Sequence, residues 1–331
     1  MPKNSFIPKK FRPIVPGSKL QASSSNKQKI KFSSVLETAK AYILFISAKD
    51  DIVPSYFLND IEDHKSIIHL YYDDLGVSWD FSFGKNVLKI HTCRDVILPT
   101  SIYHRHPGIS SNHIFFQKHV AFFEILDIWN GNLLGQRRDH YQNFSKAYQG
   151  ITSIRNSSLT TGGKTKYPRS FFLKGNYGLL LDKFNGSLIV KSCSNIRSKV
   201  VSDEIFSEWD FENLNNLPTF FQEKIVGTDI RVHVCGNTVW PLQVETKDCI
   251  DYRYASKGSV KYKEIPLPNY IKAFCKSIAQ IEENRFIGVD LMKCENKYFC
   301  LESNPGPGWS TYNHPSKKIF AKNVFKQLLR R

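Results

Sequence analysis

Three oxygen-bearing side chains near the C-terminus, Asp290, Glu302 and Asn304, have the types and spacing of a metal site. They lie in "IGVDLMKCENKYFCLESNPGPGW", residues 287 to 309, where two apolar runs flank the polar turn "CENK". Side chains two positions apart on a strand point to the same face, so Glu302 and Asn304 are expected to project together. A hairpin through "CENK" would place Asp290 beside them.

Carboxylate and amide oxygens of this kind suit Mg²⁺ far better than zinc. The sequence "PGPG" that follows predicts a tight turn around the site, since proline fixes φ and glycine permits positive φ. The alternative interpretation is a capped hairpin in which the acidic residues are incidental.

A magnesium site with few protein ligands implies that phosphate oxygens of a substrate complete the coordination. Lys191, at the end of the predicted strand "SLIVK", and Lys146, on the predicted helix "NFSKAYQ", are candidates to meet these phosphates. Taken alone, each lysine also fits a solvated surface side chain.

Two arginines are candidates for binding an anion near this site. Arg231 in "TDIRV" and Arg253 in "IDYRY" alternate with apolar neighbours, so both are predicted to face away from the core. Arginine binds anions through paired hydrogen bonds. The apolar strand "FFQEKIVG", which runs into polar residues, has backbone amides that suit an adenine edge, with Glu223 or a near neighbour for the ribose.

The elements that position these residues belong to a globular chain. The 331 residues, 41% of them hydrophobic, suffice for two or three domains with proper cores. No apolar run approaches the ~20 residues that span a bilayer, and the start lacks the apolar region of a signal peptide. Seven cysteines at irregular positions form neither a disulfide framework nor paired CxxC knuckles. We therefore expect a cytoplasmic protein with reduced thiols and no membrane partner.

The net charge of +16 is the strongest compositional signal. The first 36 residues hold eight Lys or Arg and no acidic residue, so about half of the surplus belongs to the rest of the chain. A basic surface attracts nucleic acid, anionic lipid, acidic peptides or nucleotide phosphates. No RNA-binding signature is present, so nucleic acid is not an expected partner.

Strand and helix patterns alternate along the chain and predict an α/β fold. The runs "YILFIS", "IIHLYYDD", "VLKIHT", "SFFLKG", "SLIVK", "DIRVHVCG" and "TVWPLQVE" are predicted strands. The segments "ISSNHIFFQKHVAFFEILDIWNG" and "PNYIKAFCKSIAQIEE" have the apolar stripe of a helix. The Ser- and Pro-rich basic segment 1–36 is predicted to be a disordered tail.

The order of the motifs resembles that of the ATP-grasp ligases. Lys146, Lys191, "QEKIVG", "DIRVHVCGN", "DYR", "IGVDL" and "LESNPGPG" follow one another as they do in that superfamily. The final third is similar to the branch that ligates glutamate to a ribosomal protein. The segments "YILFISAKDD", "LYYDD" and "SIYHRHPG" resemble the small N-terminal domain of the graspetide (microviridin-type) peptide-cyclising ligases. The resemblance extends over residues 42 to 325.

This resemblance implies an ATP-grasp fold in three parts after the tail. They are an N-terminal pre-ATP-grasp α/β domain at 37–145, a central lid subdomain at 146–220, and a C-terminal mixed-sheet subdomain at 221–331 that holds the Mg-ATP site.

The resemblance also implies a role for each candidate residue. Asp290, Glu302 and Asn304 would hold Mg²⁺, two ions in all, against the phosphates of ATP. Arg231 and Arg253 would neutralise the transferring phosphoryl group or the acyl phosphate. The residues implied to bind ATP are Lys146, Lys191, Gln222, Glu223, Lys224, Ile225 and Asp229.

The activity implied is the activation of a carboxylate by ATP to an acyl phosphate, which an amine or hydroxyl then attacks. The first hypothesis is a ligase that closes side-chain esters or amides in a ribosomally made acidic peptide. The second is a ligase that adds amino acids to a protein or small-molecule carboxylate, and the third is a nucleotide-binding relative without catalysis. Charge alone motivates a fourth, nucleic-acid binding.

His104, Arg105 and His106 in "YHRHPG" are candidate contacts for the peptide substrate, or simply a polar turn. Whether the protein forms a homodimer is left open.

Overall fold

The structure is a computed structural model that describes residues 42–62, 66–105, 114–135, 165–173, 188–191, 219–246, 259–309, 312 and 314–330. Its contacts divide the chain into Met1–Glu37 and Thr38–Arg331, and all the described residues belong to the second unit. The domain boundaries expected from the sequence remain predictions. In the described part of the chain, no helix is long and apolar enough to cross a membrane.

The N-terminal region is built on a sheet of four parallel strands. These are β1 (Tyr42–Ser47), β2 (Ile67–Tyr71), β6 (Pro99–His104) and β7 (Asn132–Gly135), in the order β2-β1-β6-β7. β1 is apolar almost throughout because both faces of the sheet are covered. Leu44 and Ile46 on one face pack in a cluster with Phe122, while Phe45 on the other face packs in a cluster with Trp309.

Two helices and a small antiparallel sheet complete this region. The helices are α1 (Val53–Asn59) and α2 (Phe116–Ile128). The antiparallel strands are β3 (Trp79–Gly84), β4 (Val87–Thr92) and β5 (Val96–Ile97), paired in sequence order. The predicted strand "IIHLYYDD" is shorter than expected, because Tyr72–Asp74 form a 3-10 turn after β2.

A second antiparallel sheet has three strands in the order β10-β11-β9. They are β9 (Ser170–Leu173), β10 (Leu188–Lys191) and β11 (Thr219–Glu223). Glu223 pairs with Leu188 and Phe220 with Lys191. This register brings Lys191, at the end of its strand, next to the strand that precedes the predicted adenine-binding segment.

A six-stranded mixed sheet carries the predicted metal ligands. Its strands are β8 (Thr165–Lys166), β12 (Thr228–Cys235), β13 (Thr238–Glu245), β14 (Lys261–Glu264), β15 (Phe286–Cys294) and β16 (Lys297–Asn304), in the order β14-β13-β12-β15-β16-β8. All neighbours are antiparallel except β16 and β8, which are parallel.

A different helix covers each face of this sheet. α3 (Asn269–Ile281) buries Ile271, Phe274 and Ile278, at the spacing of a helical stripe, against one face. α4 (Lys317–Leu328) covers the other face, where Phe320 joins a core shared with Phe45 of the N-terminal sheet. The sequence predicted α3, but it gave no prediction of α4.

Candidate nucleotide and metal site

The two predicted acidic ligands lie directly opposite each other on β15 and β16. Asp290 pairs with Glu302, and Gly288 pairs with Asn304. Directly paired residues of antiparallel strands project from the same face of the sheet. The structure therefore brings Asp290, Glu302 and Asn304 to one face, as the sequence predicted, and leaves their role as ligands a prediction.

A β-bulge sets this arrangement. Asp290 pairs with Glu302, but the next residue, Leu291, pairs with Cys300, so Leu301 is the extra residue of β16. Cys300 belongs to the core under α3. In strict alternation Glu302 would face that same core, and the bulge turns it to the opposite face. Bulges re-aim side chains in this way and are common next to active sites.

Arg231 lies on the same face and pairs with Asp290. Its β12 position is directly opposite Asp290 in the register, and its Nη1 forms an ion pair with Asp290 Oδ1. The sequence predicted that Arg231 faces away from the core, and it does face away from the core under α3 that holds Ile230 and Val232. Arg231 is nevertheless only 5% exposed, because α4 and the segment after β16 cover this face of the sheet.

Lys191 reaches the site from the three-stranded sheet. Its Nζ lies 3.3 Å from Glu302 Oε2, and only 7% of the residue is exposed. The interpretation of Lys191 as a solvated surface lysine is therefore wrong. Two carboxylates thus face two cations, Lys191 and Arg231, in a largely buried setting.

This donor set fits Mg²⁺ brought in by a polyphosphate. The carboxylate and amide oxygens are hard ligands, and the two cations beside them suit phosphate oxygens. Among the described residues, no three or more His, Cys, Asp or Glu side chains are grouped so that they could hold a metal ion, so the candidate site depends on Asn304 as its third oxygen.

The predicted adenine-binding segment follows β11. Gln222 is buried, and its Nε2 donates to Leu301 O at 3.4 Å, which ties β11 to the bulge in β16. Glu223 forms a two-pronged ion pair with Arg169, at 3.0 and 3.1 Å. The hydrogen bonds from Arg169 hold the pKa of the Glu223 carboxyl below its ordinary value, so Glu223 is a charged acceptor at the end of β11, the central strand of the three-stranded sheet.

The remaining nucleotide candidates are less well placed by the structure. Lys224 and Ile225 are half-buried in the irregular link between β11 and β12, and Asp229, also half-buried, lies near the start of β12. The predictions for Lys146, Arg253 and His106 fall outside the described residues.

The "PGPG" segment after β16 has its carbonyl groups bound by side chains. Asn284 Nδ2 donates to Pro305 O at 3.1 Å, Arg105 Nη1 to Pro307 O at 2.9 Å, and His233 Nε2 to Gly308 O at 3.3 Å. The expected use of positive φ is corrected: among the described residues, the glycines with positive φ do not include the two of "PGPG". Side-chain donors hold this turn instead.

His104 and Arg105 occupy positions unlike those expected of peptide contacts. His104 has no exposed surface and packs against the rings of Tyr72 and Phe123. Arg105 comes directly after β6 and is half-buried, and its Nε donates to Asp51 Oδ2. As a correction, neither His104 nor Arg105 presents a side chain for docking, because the core encloses the first and "PGPG" and Asp51 bind the second.

Three residues that hold the site were missed by sequence reasoning. Asn284 and His233 bind the segment after β16, as described above. Gly288 lies under Arg231, where an added Cβ would be 2.7 Å from Arg231 Nη2 and 2.9 Å from Pro307 Cβ. The one available signal was the glycine two positions before Asp290 in "IGVD", since a glycine inside a strand often marks a close approach.

No protein-family model and no curated protein matches the chain. Solved structures match it over most of its length. The macrocyclase MdnC of Microcystis aeruginosa MRC, bound to the precursor peptide MdnA, superposes with a TM-score of 0.67 at 12% identity, over 87% of this chain and 100% of that one. The ATP-grasp ligase PsnB, in complex with a phosphomimetic variant of a minimal precursor, Mg and ADP, gives 0.66 at 17% identity, over 88% and 100%.

A RiPP-associated ATP-grasp ligase of Chryseobacterium gregarium, in complex with ADP and a leader and core peptide, gives a TM-score of 0.65 at 15% identity, over 88% of this chain and 97% of that one. Identities this low carry the fold and leave residue roles to the geometry of the site.

Proposed function

We propose, from the premise that this chain has the ATP-grasp fold, that it is an ADP-forming ligase that forms ester or amide crosslinks in a ribosomally made peptide. The observation that carries the proposal is the shared face of Asp290, Glu302 and Asn304, with Lys191 and Arg231 beside them. Hard oxygens and two cations in one buried place suit a metal-bound polyphosphate.

The reaction proposed transfers the γ-phosphoryl group of ATP to a peptide carboxylate, which gives an acyl phosphate and ADP. A Ser or Thr hydroxyl or a Lys amine of the same peptide then displaces phosphate and closes the ester or amide. The chain's own residues contribute position and charge: Lys191 and Arg231 offset negative charge that develops on the transferred group. Mg²⁺, when held by the three oxygens, would neutralise the phosphates.

The proposed ligand set rests on what the named neighbours contain. PsnB was solved with Mg and ADP, and the Chryseobacterium gregarium ligase with ADP. We assign ATP and Mg²⁺ to this chain on that basis, with two ions, and we keep Arg253 as the second cation for the acyl phosphate. The backbone after β11 would bind the adenine edge.

The substrate proposed is an acidic peptide. MdnC, PsnB and the Chryseobacterium gregarium ligase were each solved with a precursor or with leader and core peptides. The net charge of +16 favours acidic partners, because exposed charges steer an oppositely charged partner within a Debye length of about 8–10 Å. We propose cytoplasmic action on this peptide.

The test combines nucleotide turnover with the mass of the product. The protein is incubated with ATP, Mg²⁺ and synthetic peptides that contain Asp or Glu together with Ser, Thr or Lys. We expect ADP release that needs a peptide, and a peptide mass lower by one water for each bond formed. The variants Asp290→Ala, Glu302→Ala and Asn304→Ala should release no ADP. Glu124→Ala, an exposed carboxylate on α2, is the matched control and should act as the wild type.

Each alternative has its own result in this experiment. A peptide mass gain equal to an amino acid, in place of water loss, would indicate the amino-acid-adding ligase. Tight Mg-nucleotide binding with no ADP release from any peptide would indicate a binding protein without catalysis. Full ADP release by all three alanine variants would refute the metal assignment.

A further inference from the structure

We infer that Arg105, anchored by Asp51, is a positioning residue that fixes Asn304 through the carbonyl groups of "PGPG". The inference rests on the proposed function in one respect, since Asn304 is taken as an oxygen ligand of Mg²⁺. Arg105 comes from the N-terminal sheet, and its role would tie that sheet to the metal ligand.

The first observation is the set of hydrogen bonds along the segment. Gly306 N–H donates to Asn304 Oδ1 at 3.0 Å, so the side-chain oxygen of Asn304 is oriented by the backbone two residues later. The oxygen keeps a second lone pair for a metal ion. The orientation of Asn304 therefore depends on where the peptide group between Pro305 and Gly306 lies.

The second observation is that Arg105 binds the two peptide groups that follow this one, while Asn284 binds the carbonyl of this peptide group itself. Its Nη1 donates to Gly306 O at 3.4 Å and to Pro307 O at 2.9 Å. Prolines have no N–H group, so this segment cannot be held as a regular strand pair. Arg105 contacts two successive carbonyls, whereas Asn284 and His233 each bind one, at the two ends of the segment.

The third observation is how Arg105 itself is held. Its Nε donates to Asp51 Oδ2, and its backbone N–H donates to Ile46 O at 2.9 Å. The Arg105 and Asp51 side chains are 13% and 15% exposed. A guanidinium fixed by a carboxylate on one side can direct its remaining donors at two carbonyls, a geometry that the single ammonium group of a lysine does not reproduce.

The consequence concerns metal affinity. Residues that orient a metal ligand from outside the coordination sphere usually change metal affinity by about 10–100-fold when they are replaced. We expect Arg105→Ala to raise the Mg²⁺ concentration needed for half-maximal ADP binding by about tenfold. Saturating Mg²⁺ should restore most of the ADP affinity, because Arg105 does not contact the proposed nucleotide segment.

The experiment has two readouts. Calorimetric titration of ADP at a series of Mg²⁺ concentrations gives the Mg²⁺ requirement, and hydrogen exchange over residues 303–309 without nucleotide reports the Gly306 amide. The variants are Arg105→Ala, Arg105→Lys and the milder Asp51→Asn. Lys322→Ala is the control, since it removes a positive charge from an exposed ion pair with Glu62.

The expected result is a raised Mg²⁺ requirement and faster exchange at 303–309 in Arg105→Ala and Arg105→Lys, a smaller change in Asp51→Asn, and none in Lys322→Ala. A lower melting temperature with an unchanged Mg²⁺ requirement would assign Arg105 a structural role only and overturn the inference. Failure of the wild type to bind Mg-ADP would instead refute the proposed function. Unchanged hydrogen exchange at residues 303–309 in the Arg105 variants would independently refute the positioning role of Arg105. If Arg105→Ala does not fold, Asp51→Asn carries the same test.

Discussion

Replacing Glu282 by glutamine is expected to make the protein more stable at pH 8 and to leave its stability near pH 4 unchanged. Glu282 follows α3 and is only 7% exposed. It accepts a hydrogen bond from Ser303 Oγ, on the strand that carries Glu302 and Asn304. Burial is the main cause that raises the pKa of Glu282 from 4.5 to about 7, and the Ser303 hydrogen bond opposes it.

The magnitude follows from the difference between the two pKa values. In the unfolded chain Glu282 loses its proton near pH 4.5, whereas the folded protein keeps it to about pH 7. Between these values the folded state binds more protons than the unfolded state, so the free energy of unfolding falls as pH rises. About 2.5 pKa units at 1.36 kcal/mol each give about 3 kcal/mol, all of it lost by pH 8.

The assay is thermal unfolding of wild type and Glu282→Gln from pH 4 to pH 8. Glutamine keeps the acceptor for Ser303 and cannot ionise, so the variant should lack the loss of stability that begins near pH 4.5. The expected gain at pH 8 corresponds to roughly 5–10 °C in Tm. Glu283→Gln is the matched control, because Glu283 is exposed and adjacent.

One result would refute this reasoning. If wild type and Glu282→Gln lose the same stability between pH 5 and pH 8, Glu282 is not a buried acid that keeps its proton. The variant would then also show no advantage at pH 8. A loss of stability in Glu282→Gln at every pH would mean instead that the carboxylate is bound in its charged form.

Three further substitutions test the packing around the site. Gly288→Ala should lower the unfolding free energy by about 1–3 kcal/mol, because the new Cβ would lie 2.7 Å from Arg231 Nη2, whereas Gly84→Ala, with nothing within 4 Å, should have little effect on Tm. Asn132→Ala removes a side-chain donor to carbonyl groups at the end of α4, including the 2.6 Å hydrogen bond to Gln327 O. It should lower the free energy of unfolding, measured with denaturant, by about 1–3 kcal/mol. Lys191→Met removes the cation that lies 3.3 Å from the Glu302 carboxylate, so the Tm of the variant should fall. Millimolar MgCl₂ should raise the Tm of the variant more than it raises the Tm of the wild type.

The sequence by itself was enough to predict the fold and the shared face of the candidate metal ligands. The order of its motifs predicted the ATP-grasp fold, which is confirmed. A continuous apolar run identified β1, and apolar periodicity identified β4, β12, β13 and α3, because the burial pattern of each of these elements is local to the chain. The two-residue period also placed Glu302 and Asn304 on one face.

Tertiary structure alone decided how those residues are held. Local alternation from Cys300 would turn Glu302 into the core, and only the bulge at Leu301, fixed by pairing with β15, brings it opposite Asp290. Segments that are distant in sequence pack against this sheet. Because of this packing, Arg231 is buried, Lys191 contacts Glu302, and Arg105 donates a hydrogen bond to the "PGPG" segment. Contacts between residues far apart in sequence are determined by burial and strand register. Neither can be read from the spacing of residues along the chain.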